Sequence, residues 1–195
     1  ELSRLIKAGG GTLLDKYDQD KVSYRFNLIF FLQINEFNQC FIISDSHQRT
    51  VKYLQGLSAG LPCVSHLWIT YCCSQDKILD FKSYILPAGI DLEKKKIAEW
   101  ETMFQGIMSN KLLNAIYHLN KIDYIYIFSG NIKLDVVISD STCTKQVKKK
   151  AEQLSVPTVS TEWVIQCLIT GRIVDACGHP RYKTDFHNHH SLVNF

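Results

Sequence analysis

The chain repeats itself at a fixed distance of 95 residues. Ile43-Ser-Asp-Ser46 recurs as Ile138-Ser-Asp-Ser141. At the same offset Pro62 meets Pro157, Val64-Ser65 meets Val159-Ser160, and Trp68 meets Trp163. Cys72 meets Cys167, and Ile78 meets Ile173. So many uncommon residue types in one register make chance a poor account. Self-similarity at a fixed period constrains a fold more than any local propensity. A chain of 195 residues then divides into two units, each of ordinary domain size.

Each copy reads alike. Cys40–Ile43 and Asp135–Ile138 are short apolar runs, hence buried strands. Polar helix formers follow at 49–59 and 144–154. Leu61-Pro-Cys-Val64 and Val156-Pro-Thr-Val159 are the next strands, with Pro at a strand start or edge. Ser65 and Ser160 are placed as N-caps for helices over 66–73 and 161–169. The order strand, helix, strand, helix predicts a parallel sheet covered by helices. Ala8-Gly-Gly-Gly11 predicts a tight turn before a strand at 12–14, residues 110–121 read as an amphipathic helix, and 123–128 read as a strand. Between the copies, Tyr84–Gly89 is turn-like, and the charged run Asp91–Trp100 reads as a short helix.

Composition narrows the function. Hydrophobic residues are 46% and charged residues 21%, which argues against disorder. A net charge of +3 is too mild to make nucleic acid the obligatory partner. The seven cysteines are odd in number, include no CxxC pair and lie mostly in apolar runs, as expected of reduced thiols. The opening residues lack the apolar core of a signal peptide, and the longest apolar run, Leu28–Ile34, is too short to cross a bilayer. A soluble intracellular protein is expected. There is no G-x-S-x-G elbow, no phosphate-binding G-x-x-x-x-G-K-[ST] loop and no H-E-x-x-H, so no enzyme is expected. Ser44-Asp45 and Ser139-Asp140 recur in both copies, which marks them as architectural turns and helix caps. Cys177-Gly-His179 and His187-Asn-His-His190 follow no zinc spacing, so neither a metal nor another cofactor is expected. Lys145, Lys148, Lys149 and Lys150 form a basic helix face, read first as solvated and second as a surface for DNA ends.

Longer strings carry a family resemblance. A Gly-Gly turn early in the unit, a Trp in its last helix (Trp68, Trp163), Arg49-Thr-Val-Lys-Tyr53, Gly60–Trp68, Tyr84–Gly89, Glu162–Ile169 and His179–Asp185 together resemble tandem BRCT repeats of DNA-damage adaptors. The resemblance covers 39–100 and 134–186. It implies an α/β fold of two tandem BRCT-like repeats, each a small parallel sheet flanked by helices. The chain departs from it in that the first strand of each repeat is missing or short. The repeats run from 1 to 83, with an unusual insertion at 22–37 expected to be poorly integrated, and from 104 to 186. The linker spans 84–103, and 187–195 is a His-rich tail.

The resemblance implies a nuclear, non-catalytic scaffold of the double-strand-break and checkpoint response at chromatin. Its partners would be a phosphorylated histone tail or another phosphoserine protein, and a p53-like protein. Lys52, helped by Arg49, takes the phosphate by position; a helix N-terminus adds free N–H donors and a positive dipole end. Val147 stands at the repeat position of Lys52, which predicts one phosphate site rather than two. Tyr71, Pro87, Ala88 and Gly89 are the expected protein-partner surface, with Tyr71 where the family has an acid. Trp68 and Trp163 are the expected core anchors. The alternatives are a phosphate-independent docking module and, after it, DNA-end binding. Neither membrane nor direct nucleic-acid contact is the leading expectation.

Overall fold

The computed structural model describes residues 1–14, 30–34, 39–100, 124–129, 133–139 and 144–184. The helix expected at 110–121, the tail histidines and the flanks of 30–34 within 22–37 lie outside these residues.

Helix α1 (Leu2–Ala8) lays Leu2, Leu5 and Ile6 on the core and stops at Gly9 and Gly10, the latter at φ +77°. Strand β1 (Thr12–Leu14), strand β2 (Phe30–Ile34) and strand β3 (Gln39–Ser44) follow, then α2 (Val51–Ser58), β4 (Cys63–Ser65) and α3 (Leu67–Ser74). Strand order is β1-β2-β3-β4; β1–β2 and β2–β3 are antiparallel, and only β3–β4 is parallel.

The expected wholly parallel sheet is therefore corrected to a mixed one. The reason lies in residues expected to stand outside the fold. Phe30–Ile34 pairs with β3 along its whole length, from Phe30 opposite Ile43 to Ile34 opposite Gln39. Only four residues separate Ile34 from Gln39, too few for the crossover connection that parallel strands need. For 30–34, then, poor integration is corrected: the stretch is a ladder strand.

Later in the chain come β5 (Gly89–Asp91), β6 (Lys96–Ala98), β7 (Tyr124–Ser129), β8 (Lys133–Ser139), α4 (Lys145–Gln153), β9 (Thr158–Val159) and α5 (Thr161–Thr170). Strand β8 pairs antiparallel with β7 and parallel with β9, so this sheet too is mixed. The sequence β3-α2-β4-α3 thus has the same order as β8-α4-β9-α5. Matched details hold at the 95-residue offset. The Trp68 indole N–H donates to the Leu79 carbonyl at 2.9 Å, and that of Trp163 to the Val174 carbonyl at 3.0 Å. Trp68 is fully buried, and Trp163 nearly so.

Helix starts differ from expectation. Threonines, not the Ser-Asp turns, cap α2 and α4: Thr50 accepts from the Tyr53 amide and Thr144 from the Val147 amide. Ser160 occupies the N-cap of α5 but turns its hydroxyl to the Arg181 carbonyl, and Ser65 takes the Leu67 amide. The threonine caps stand 94 residues apart, so the fixed offset slips by one where these helices begin. Counted from the cap, Lys52 corresponds to the exposed Gln146, and Val147 corresponds to the buried Tyr53.

The charged run after Gly89 is not a helix. Strands β5 and β6 form an antiparallel hairpin with Ile90 opposite Ile97. The Asp91 carboxylate accepts the amides of Glu93 and Lys94 at 2.9 and 3.0 Å, and Lys95 takes φ +53°. An aspartate that satisfies the next free amides offers the backbone a turn in place of a helix.

The Cys40–Ile43 run of β3 is covered on both faces, which is why it is continuously apolar. Phe41 and Ile43 face α1 and α3, with the Phe41 ring 5.1 Å from Trp68 and 4.9 Å from Phe81. Ile42 faces the other way into a second cluster with Tyr53, Leu54 and Leu57 of α2. That cluster continues without a break through Trp163, Val164, Leu168 and Ile169 of α5.

The core constrains α2 tightly. A Cβ at Gly56 would overlap Ile42 Cδ1. Gly56→Ala in a free helix would stabilise by about 1 kcal/mol. Here overpacking of about 1–3 kcal/mol outweighs that gain. Urea denaturation should show net destabilisation, partly relieved by adding Ile42→Val.

Candidate functional site

The seam between α2 and α5 gathers the charged candidates. Arg49, just before the Thr50 cap, donates through Nη2 to both carboxylate oxygens of Glu162, each at 2.6 Å. Glu162 lies in the first turn of α5 with its side chain only 6% exposed. A carboxylate so buried needs partners to stay ionised. Its second partner is the Gln166 amide, 3.3 Å from Oε1. Gln166 reaches on to the hairpin: its Nε2 donates to the Ile90 carbonyl and its Oε1 accepts the Leu92 amide, both at 3.0 Å. One chain of hydrogen bonds therefore runs from the start of α2 through α5 to β5.

Lys52 is the second residue of α2, in its first turn, half-exposed, and makes an interaction of its own. Arg49 and Lys52 lie on the same end of α2, as the sequence reading placed them. The reading did not give Arg49 its acidic partner, because nothing in the sequence linked two residues 113 positions apart. Beside them, Asp45 is shaped by slight burial, which raises its pKa, and by hydrogen bonds from its own and the Ser46 backbone and from Gln48 and Ser46, which prevail and lower it.

The expected partner surface divides. Tyr71 is exposed, its ring 6.0 Å from that of Tyr84. Ala88 and Gly89 are buried, a correction to their expected place on the surface. Gly89 adopts φ +153° and lies so close to α5 that a Cβ there would be 2.8 Å from Ile169 Cδ1. Pro87 is half-buried, and its carbonyl accepts the Tyr53 hydroxyl at 2.8 Å. These residues mount the linker on the seam.

Nucleophiles near the seam are quiescent. Burial pushes the Cys63 and Cys167 thiols up to about 12 and raises the Tyr53 phenol further. Among the described residues no group of three or more His, Cys, Asp or Glu is placed to hold a metal, and no helix is long and apolar enough to cross a membrane. Lys145, Lys149 and Lys150 are exposed on α4, whose Val147 and Ala151 face inward.

The ion pair has a measurable coupling. Arg49→Ala or Glu162→Ala alone should destabilise by about 2 kcal/mol, because each strands a partly buried charge. The double variant should cost less than the sum of the two single variants. A double-mutant cycle by chemical denaturation reads this directly.

Comparison with known proteins gives two findings. Over 52 residues the chain is 40% identical to the DNA repair protein crb2 of Schizosaccharomyces pombe, a match spanning 27% of this chain and 7% of that protein. Residues 94–187 match the family model described as the BRCA1 C Terminus (BRCT) domain. These residues take in β6 to β9, α4, α5 and Glu162. The chain therefore contains a BRCT domain.

Proposed function

We propose that the chain is a phosphopeptide- and protein-binding adaptor module of the DNA double-strand-break response, built from two tandem BRCT repeats and acting in the nucleus at chromatin. Its long strings resemble the tandem BRCT region of p53-binding protein one. BRCT domains are typically non-catalytic protein-interaction modules, and similarity to a DNA repair protein supports the setting. The observation that carries the reading is the cationic end of α2, which carries Lys52 and an Arg49 pinned to Glu162 of α5. A phosphate there gains charge-assisted hydrogen bonds and the helix's positive end. The partner is a phosphorylated histone tail or another phosphoserine protein.

A second reading is phosphate-independent docking, of a p53-like partner or another protein. It is favoured by the exposed Tyr71 and Leu67 on α3. DNA-end binding by the α4 lysines is the third reading and would weaken steeply with salt.

A phosphoserine peptide from a histone tail, titrated by calorimetry, distinguishes these readings. Lys52→Glu should remove about 1.5–3 kcal/mol or more of binding. Gln146→Glu, at the cap-matched place in α4, should leave binding unchanged. Val147 is an unsuitable control because it is buried. Equal binding of the unphosphorylated peptide would exclude the phosphate reading and leave the docking reading.

A further inference from the structure

The linker hairpin presents a face that the seam does not use. Ile90 and Ile97 stand directly opposite each other and are 49% and 60% exposed. Their neighbours point the other way: Gly89 and Asp91 are buried. The hairpin is rigidly mounted despite this exposure. Gln166 holds β5, Gly89 packs on Ile169, and Arg172 pairs with Glu93 at 3.1 Å.

The two edges of the hairpin are unlike. Gln166 engages the Ile90 carbonyl and the Leu92 amide, so these groups of β5 point away from β6. In an antiparallel pair, residues opposite each other aim their polar groups in the same sense, both inward or both outward. Ile97 therefore turns its N–H and C=O to the outer edge of β6. Among the described residues no further strand pairs with that edge, which offers main-chain partners to an added strand.

Charge selects the occupant. Lys94, Lys95 and Lys96 are consecutive and exposed at the loop end. Lys94 lies 3.9 Å from Asp91, while Lys95 and Lys96 have no acidic partner among the described residues. Glu93 is already paired to Arg172, and Asp91 is buried under the turn. Side chains alternate across a strand. Lys96, opposite Asp91, thus lies on the face away from Ile97.

We propose that β6 is a strand-addition site for an extended acidic peptide with aliphatic and acidic side chains in alternation. The aliphatic side chains continue the Ile90–Ile97 face, and the acidic ones meet Lys96 and the loop lysines. The site is independent of the cationic end of α2.

The probe is a capped hexapeptide alternating valine and glutamate, titrated into the full chain, with a valine–lysine peptide as control. The valine–glutamate peptide should bind, weaken with salt and slow hydrogen exchange of the Ile97 amide. The valine–lysine peptide should not bind. Ile90→Ser with Ile97→Ser should weaken binding by about tenfold or more. Lys95→Glu with Lys96→Glu should do the same without touching the apolar face, so a folding defect in the first variant leaves the test intact. Equal binding of the two peptides, unchanged exchange at Ile97, or no effect of the lysine variant would each overturn the proposal.

Discussion

A glutamate side chain that is 6% exposed must be answered from several directions, and Glu162 is answered across the seam. Arg49 comes from the start of α2, and Gln166 comes from one turn along α5. Around this polar thread the apolar cluster is continuous, from Ile42 and Leu57 on one side to Trp163 and Ile169 on the other. Helix α5 is buried on every side from Glu162 to Ile169, as expected of a helix wedged between elements rather than lying on a surface. The ion pair alone is weak ground for stability, since burying two charges costs about what their attraction returns. Its stronger effect is on geometry: it fixes where the start of α2 stands relative to α5.

That geometry gives the candidate site its form. A guanidinium held by a carboxylate is oriented before any ligand arrives. Lys52, in the first turn of the helix, supplies the second cation. Pro87, Ala88 and Gly89 bind the linker to the same seam, so the hairpin beyond them is positioned by α5 rather than by the loop alone. In the proposed adaptor, α2 carries both cations and Glu162 of α5 orients one of them.

Much of this was legible in the sequence because it is local or periodic. The 95-residue register located the paired strands, the paired helices and the two tryptophans, whose indole N–H groups reach carbonyls eleven residues on in both copies. Where the sequence reading failed, the deciding partner was remote or a single side chain. Phe30–Ile34 has its counterpart at the offset in β7, Ile125 standing opposite Ile138 as Phe30 stands opposite Ile43, but no residue type recurs between the two strands, so matching residues did not reveal it. Asp91–Trp100 has a helical composition, but one aspartate accepting two amides turned it into a hairpin. Ala88 and Gly89 looked like an exposed turn, but Ala88 joins the core cluster and Gly89 lies against Ile169. Arg49 was placed by its string, while its pairing with Glu162 depends on contact between two distant helices.

The apolar cluster that runs unbroken across the α2–α5 seam should make the two halves one cooperative body. Native-state hydrogen exchange, read separately for the amides of α2 and α5 across increasing denaturant, tests it most directly. Both helices should open with the same free energy and the same denaturant dependence, because neither keeps its core without the other. Exchange of α5 amides through a distinctly cheaper opening, with α2 still protected, would contradict the account.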